Sequence, residues 1–593
     1  MIDIRPDHLE IVISILKEYL PRGHKVWAYG GRARWETEDS SDLDLALEGK
    51  GKIKPEILEK IQEAFEDSDL PYKVDVVDLA VVSDKFKQVI GKEKVLIDLT
   101  KSDNLTNSTR DKEKKVYRKG WREVRLGDIV KSNTRNIDKS YPHEEILYLD
   151  TGSITEGKVS ELQPFKIERA PSRAKRMVKD KDIIYSTVRP SQRHYGFIKK
   201  PQKNLVVSTG FSVIETNNKF ADPLFTYFLL SSNSVVKKLN VIAEGSTSTY
   251  PSLRPEDIEN LKVLLPTLSE QKNIAEILGS LDDKIDLLHR QNKVLEEMAQ
   301  AIFKSWFVDF DPVHAKKLAL EKGLTKKQAE CAAMAVISGV CGPKEFAEKF
   351  KEMDGRFKQK LSKMSNKEQE ELAYTASLFP SGFEDSELGK IPKGFKALPI
   401  YELIKVVAGG TPKRSEASYW GGSIPWFSVK DIPFNGITVF DTEEYITELG
   451  LKKSSTKIQK KGSTIISARG TVGKLALVMK EMAMNQSCYG IEPIKGLGSV
   501  YNYFNVSQII ESLKRSAHGA VFDTITHDTF KSCKVSFSDF DLAQKYENVS
   551  GKIIEKIFIN QKEIIVRSKL RDTLLPKLLA GEIDLSNINA GKE

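Results

Sequence analysis

Apolar residues recur at alternating steps of four and three from Ile274 onward, placing Ile274, Leu278, Leu281, Ile285, Leu288, Asn292, Leu295, Ala299, Ile302 and Trp306 on one face. The positions between them are mostly charged or polar. A seam sustained for roughly five heptads predicts one helix over residues 269–307, about 60 Å long at about 1.5 Å per residue. No globule buries a rod of that length alone. A second, less regular seam through Ile553, Ile557, Ile564, Leu570, Leu574 and Leu578 supplies a partner, and the two predict an antiparallel pair. The alternative is two independent amphipathic helices, each lying on its own domain.

Ahead of each long helix the pattern changes to short β-branched runs (residues 182–188, 205–207 and 463–467) between Gly and Pro turns, which predicts two α+β globules. The two stretches repeat one another. "GWREVRLGDIV" from Gly120 matches "GFKALPIYELI" from Gly394, an offset of 274, with Leu126 against Ile400 and Ile129 against Leu403. "YLDTGSI" parallels "WFSVKDI" and "DIIYSTVRP" parallels "STIISARGT" at offsets of 278 and 281. "LFTYF" against "VYNYF" and "AEGSTSTYPSL" against "AHGAVFDTITH" return to 276 and 274. A persistent offset is the mark of internal duplication.

At 593 residues, 40% hydrophobic and 30% charged, the chain is long enough for several cores. The charge is uneven. The first 100 residues hold 15 Lys and Arg against 21 Asp and Glu, and the remainder 77 against 62, so an acidic start precedes a basic body suited to a polyanion. No apolar run reaches the roughly 20 residues needed to span a bilayer, and the opening residues lack the order of a signal peptide, so a cytoplasmic protein without membrane contact is expected. Cys331, Cys341, Cys488 and Cys533 are scattered without zinc-ligand spacing and are expected to be reduced, buried thiols.

Three stretches carry a family resemblance: "LEEMAQAIFKSWFVDFDPV" from Leu295, "FPSGFEDSELGKIPKGF" from Phe379 and "LRDTLLPKLLAGEI" from Leu570. Together with the duplication, residues 119–585 resemble the specificity subunit of Type I restriction-modification systems. The resemblance implies a non-catalytic reader of double-stranded DNA that recognises a bipartite, gapped target. It also implies two methyltransferase (M) subunits and restriction (R) subunits as partners, which use S-adenosylmethionine and ATP while the specificity region itself needs no cofactor. In keeping with this, the sequence has neither an N-P-P-[FY] motif nor a G-x-x-x-x-G-K-[ST] loop. The expected division is 1–100, a nucleotidyltransferase-like domain; 101–118, a linker; 119–267, a first target-recognition domain; and 268–311, a first spacer. A helical connector (312–392), a second recognition domain (393–540) and a second spacer (541–585) follow. The connector reads as helix formers broken by Gly342-Pro343 and Gly355.

Base readout requires side chains that reach base edges, and phosphate contacts require cations. In the first globule the candidate patches are Arg169, Arg173, Lys175 and Arg176, then Arg189, Gln192 and Arg193. In the second they are Lys413, Arg414, Tyr419 and Trp420, then Arg469 and Lys474.

The acidic start reads as helix, strand "KVWAYG", glycine turn, strand "DLDLAL", helix near 55–65 and strand "KVDVVDL". Asp42 and Asp44, two apart on one strand, project from one face, and Asp75 on a neighbouring strand can complete a divalent-metal site. This pattern resembles the minimal nucleotidyltransferase domain of the polymerase-β type. The resemblance implies Gly30, Gly31, Asp42, Asp44 and Asp75 as the site, with Mg2+ and a nucleoside triphosphate as ligands. It departs where the motif's serine is Gly31 and where Trp35, Glu36, Glu38 and Asp39 crowd the turn. The alternative function is therefore an active nucleotidyltransferase fused to a DNA-binding module.

Overall fold

The computed structural model describes residues 4, 6–21, 23–30, 42–49, 51–68, 70, 72–82, 94–97, 99, 120–138, 140–246, 250–433, 436–516, 524–583 and 585. Contacts divide the chain into two units, Met1–Val116 and Tyr117–Glu593.

In the first unit the order is α1 (Pro6–Tyr19), β1 (Lys25–Tyr29), β2 (Leu43–Glu48), α2 (Pro55–Glu66), β3 (Val74–Asp78) and β4 (Val95–Ile97). The sheet runs β3-β2-β1-β4, with β2 and β3 parallel and the other pairs antiparallel. Strand alternation sends Val26, Ala28, Leu43, Leu45 and Leu47 into a core shared with Leu16, Ile61 and Phe65 of the helices. That leaves Asp44, at the alternate position, on the opposite face of the sheet. Strand β4, three residues long, was too short for its alternation to register in the sequence.

The second unit repeats one topology. Strands Tyr195–Phe197, Ile183–Ser186, Phe211–Thr216 and Val130–Ser132 lie side by side in that order. Strands Leu475–Val478, Thr464–Ser467, Cys488–Pro493 and Ile404–Ala408 lie in the same order, with Thr438–Val439 added at one edge. A smaller sheet in each copy contains one parallel pair, Glu145–Leu149 with Leu205–Ser208 and Trp420–Phe427 with Ala483–Met484. Each globule is closed by pairing its first strand with its last, Arg122–Arg125 with Lys262–Leu265 and Lys396–Pro399 with Lys534–Phe537.

That closure launches a 40-residue helix from each globule, α3 (Leu268–Phe307) and α4 (Phe540–Leu579). Both are capped: Thr267 accepts from the Glu270 amide and Asp539 from the Leu542 amide. The two run antiparallel, because partner numbers fall along α4 as they rise along α3. Arg571 donates to Asp282 at 2.8 Å, Asn560 to Asn292 at 2.8 Å, and Tyr546 Oη to the Ala299 carbonyl at 3.0 Å. Phe303, Trp306 and Phe307 at the far end of α3 enter the core of the second globule, and Leu578 at the far end of α4 enters that of the first. Each helix is thus rooted in both globules.

Two details differ from the sequence reading. Leu570 is 46% exposed, and the seam of α4 runs instead through Asn560 and Arg571, polar residues that find partners across the pair. Gly355 lies inside the helix Phe350–Leu361, where burial of Met353 and Phe357 outweighs the roughly 1 kcal/mol helix penalty of glycine. The four cysteines are free thiols, but only Cys488 is fully buried, with burial pushing its pKa up to about 12. No helix among the described residues is long and apolar enough to cross a membrane.

Candidate functional site

Strand register builds the acidic cluster of the first unit. Tyr29 on β1 lies opposite Asp44 on β2, and Asp44 lies beside Asp75 on β3, so the three form one row across the sheet face that the helices leave uncovered. Asp42, two residues before Asp44, stands exposed at the same end. Gly30 has φ +76°, a left-handed backbone that favours glycine, and a Cβ there would meet the Asp44 carboxylate. Gly31 lies outside the described residues.

Burial, then the charges of Asp75 and Asp42, raise the Asp44 pKa above the usual carboxylate value. Burial and the same row of acids raise Tyr29. Asp75 is held by Lys73 at 2.7 Å, and no group of three His, Cys, Asp or Glu among the described residues stands at metal-binding spacing. The donor set still suits a hard divalent cation: oxygen ligands only, mutually repelling, beside a left-handed backbone that favours glycine. Tyr29 and Lys73 were missed in the sequence, although each flanks a motif residue. Asp78, by contrast, is buried and accepts from the Ile53 and Ala80 amides, a structural role.

The basic candidates separate into free and engaged groups. Arg169, Arg173, Lys175, Gln192, Arg469 and Lys474 are exposed. Arg176 is half-buried on strand Ala174–Met177 and donates to Asn136 at 3.3 Å, with burial lowering its pKa. Arg193 is held by Glu156 at 3.2 Å and Asn233 at 2.6 Å. Arg414 forms a two-pronged pair with Glu444 and stacks 3.9 Å from the Trp420 ring, while Lys413 pairs with Glu416 at 3.5 Å. Tyr419 is half-buried beside Trp420 in the same corner. Arg189 is exposed, its guanidinium 5.0 Å from the ring of Tyr250.

Two like globules, set on opposite ends of an antiparallel helix pair and carrying exposed cations, define a duplicated, two-headed recognition protein. The family described as "Type I restriction modification DNA specificity domain" matches residues 118–297 and 392–545, and the chain belongs to that family. The HindI specificity subunit of Haemophilus influenzae is 32% identical over 472 residues, covering 78% of this chain and 99% of that one. Among solved structures, the S subunit of the Type I restriction-modification system from M. genitalium covers 77% of this chain and 96% of its own, at 14% identity and a TM-score of 0.43. The first unit matches "Polymerase beta, Nucleotidyltransferase" over residues 10–102. There, the probable protein adenylyltransferase MntA of H. influenzae is 38% identical over 96 residues, 16% of this chain and 83% of that one. The chain is a Type I specificity subunit with an N-terminal nucleotidyltransferase-like domain.

Proposed function

We propose that the subunit reads two DNA half-sites separated by a fixed gap and so directs adenine methylation and restriction by partner subunits. The observation that carries this is the repeat of one sheet order at opposite ends of the α3–α4 pair. Two like readers related in this way meet the two half-sites in opposite orientations, and rod length sets their separation, as half-site spacing mirrors protein geometry in dimeric readers. On this reading, 119–267 and 393–540 are the target-recognition domains and 268–311 and 541–585 the spacers, with 312–392 a helical connector that ends in the hairpin of strands Phe383–Ser386 and Gly389–Pro392. Two M subunits would use the two-fold character of the spacer, methylating adenine with S-adenosylmethionine. R subunits would supply ATP-driven restriction, and the assembly would work in the cytoplasm. Exposed Arg169, Arg173, Lys175 and Lys474 are suited to phosphate contacts, which supply salt-dependent affinity. Single-molecule detection of N6-methyladenine in cells holding this chain and its M subunit should give a two-part motif with one gap length. Methylation confined to an uninterrupted motif would contradict the reading.

A second activity is favoured by the Tyr29–Asp44–Asp75 row. Asp42 and Asp44 would hold Mg2+, with Asp75 joining in exchange for Lys73. The ion would neutralise a nucleoside triphosphate and support transfer of its nucleotidyl group to an acceptor, with pyrophosphate leaving. The likeness to an adenylyltransferase makes ATP the first nucleotide to test. Labelled ATP should give Mg2+-dependent labelling of protein that Asp44→Ala abolishes; labelling that survives Asp44→Ala would exclude this site.

A further inference from the structure

The two globules share a hairpin whose tip is built alike in both copies and filled differently. In the first, strands Ile183–Ser186 and Tyr195–Phe197 enclose residues 187–194; in the second, Thr464–Ser467 and Leu475–Val478 enclose 468–474. Three positions past the first strand, the backbone is left-handed in both: Arg189 at φ +48° and Gly470 at φ +74°. Two positions before the second strand it is left-handed again, Arg193 at φ +57° and Gly473 at φ +79°. Glycine accepts this conformation freely and arginine does not. The first copy therefore keeps two arginines where the fold asks for glycine. Strained residues of this kind collect at sites of function.

Both tips are braced at their bases. The hydroxyl of Ser186 donates to the Val188 carbonyl at 3.0 Å, and that of Ser467 donates to the Thr471 carbonyl while accepting from the Lys474 amide. Each tip is also tied to the segment entering the last short helix of its globule. The Leu253 amide donates to the Thr187 carbonyl at 2.7 Å, and the Ile525 amide to that of Ala468 at 3.0 Å. Bridges Val188–Ser252 and Arg469–Thr524 repeat the match. Within the first tip, Arg193 is used up by Glu156 and Asn233. Arg189 is left exposed, steadied on the Tyr250 ring, which is itself 56% exposed. The second tip presents Arg469, also exposed.

We propose that these hairpin tips are the base-reading edges of the two half-sites, with Arg189 reading one half and Arg469 the other. A rigid hairpin carrying a forked guanidinium suits guanine O6 and N7 in the major groove, the commonest arginine contact to a base. This rests on the specificity-subunit reading and adds to it which side chain serves which half.

The test uses the full chain with its M subunit, wild type against Arg189→Gly and Arg469→Ala, with the methylated motif read in cells. Arg189→Gly is the variant least able to unfold the domain, because glycine occupies the same turn in the second copy. Each variant should relax one base pair in one half-site, lowering its discrimination by about 5- to 150-fold, and leave the other half unchanged. Both halves retained intact would overturn the assignment. So would methylation that weakens uniformly over all sites with the motif unchanged, the mark of a phosphate contact. A wild-type chain that yields no gapped motif removes the specificity-subunit reading, and the assignment with it. That outcome is distinct from variants that leave an established motif untouched.

Discussion

Carboxylates withdrawn from solvent are handled in opposite ways at the acidic row of the first unit and at three sites in the recognition unit. In the recognition unit, three acids withdrawn from solvent each meet a partner of their own. Asp182 is held by Arg135 and the Lys179 amide, Asp282 by Arg571 at 2.8 Å, and Glu547 by the Val500 and Tyr501 amides at 2.9 and 3.0 Å. Burial raises all three pKa values, and a cation or amide opposes it in each case. In the nucleotidyltransferase-like unit, Asp44 is raised by burial and raised further by Asp75 and Asp42. The difference teaches how to tell a structural acid from an available one: the first kind is neutralised by the fold, the second is left in the company of its like.

The largest expected effect lies in the recognition unit and tests how its helices are anchored. Phe303 of α3 lies in the second globule's core and touches Phe307, Tyr501, Phe504 and Tyr546. Phe303→Ala should cost about 3–5 kcal/mol there, measured by denaturant unfolding. A loss below 1 kcal/mol would mean that α3 is not rooted in both globules. A smaller effect comes from the buried pair within the helices. Asn292→Leu leaves the Asn560 amide without its partner and should cost about 1–3 kcal/mol, whereas changing both to Leu should recover most of the loss. A double-mutant cycle showing no coupling would break that picture.

The smallest effect has the opposite sign. A carboxyl whose folded pKa lies above its unfolded value contributes stability at pH below the unfolded pKa and loses it as pH rises through the folded one. Asp44→Asn should therefore stabilise its unit near pH 7, by up to about 0.5 kcal/mol, and not at pH 3. Mg2+ should stabilise the wild type more than the variant. Destabilisation by Asp44→Asn at pH 7 would show that the row is structural after all.

Much of the architecture was legible because apolar periodicity survives in sequence. The seam of α3 is buried at Ile274, Leu278, Leu281, Ile285, Leu288, Asn292, Ala299 and Trp306. The seam of α4 was harder to read because Asn560 and Arg571 occupy it, and a search for apolar residues steps past them to exposed Leu570. In the acidic row, Asp44 and Asp75 followed from motif spacing, but Tyr29 and Lys73 joined only through strand register and a side-chain pair. Among the basic patches, sequence showed which residues could meet DNA. It could not show that Arg193 is held by Glu156, or Arg414 by Glu444 some 30 positions away, since such partners are brought together only by folding. Nor does an arginine reveal a left-handed backbone, which emerged at Arg189 from comparison with Gly470.

The central claim is that DNA reading belongs to the duplicated unit and does not depend on the acidic row. The most direct measurement is genome-wide single-molecule detection of N6-methyladenine in cells carrying this chain with its M subunit, compared with an Asp42→Ala, Asp44→Ala double variant. The account predicts the same two-part, gapped motif in both strains. A gapped motif that disappears in the double variant, or that is absent from both, would contradict it.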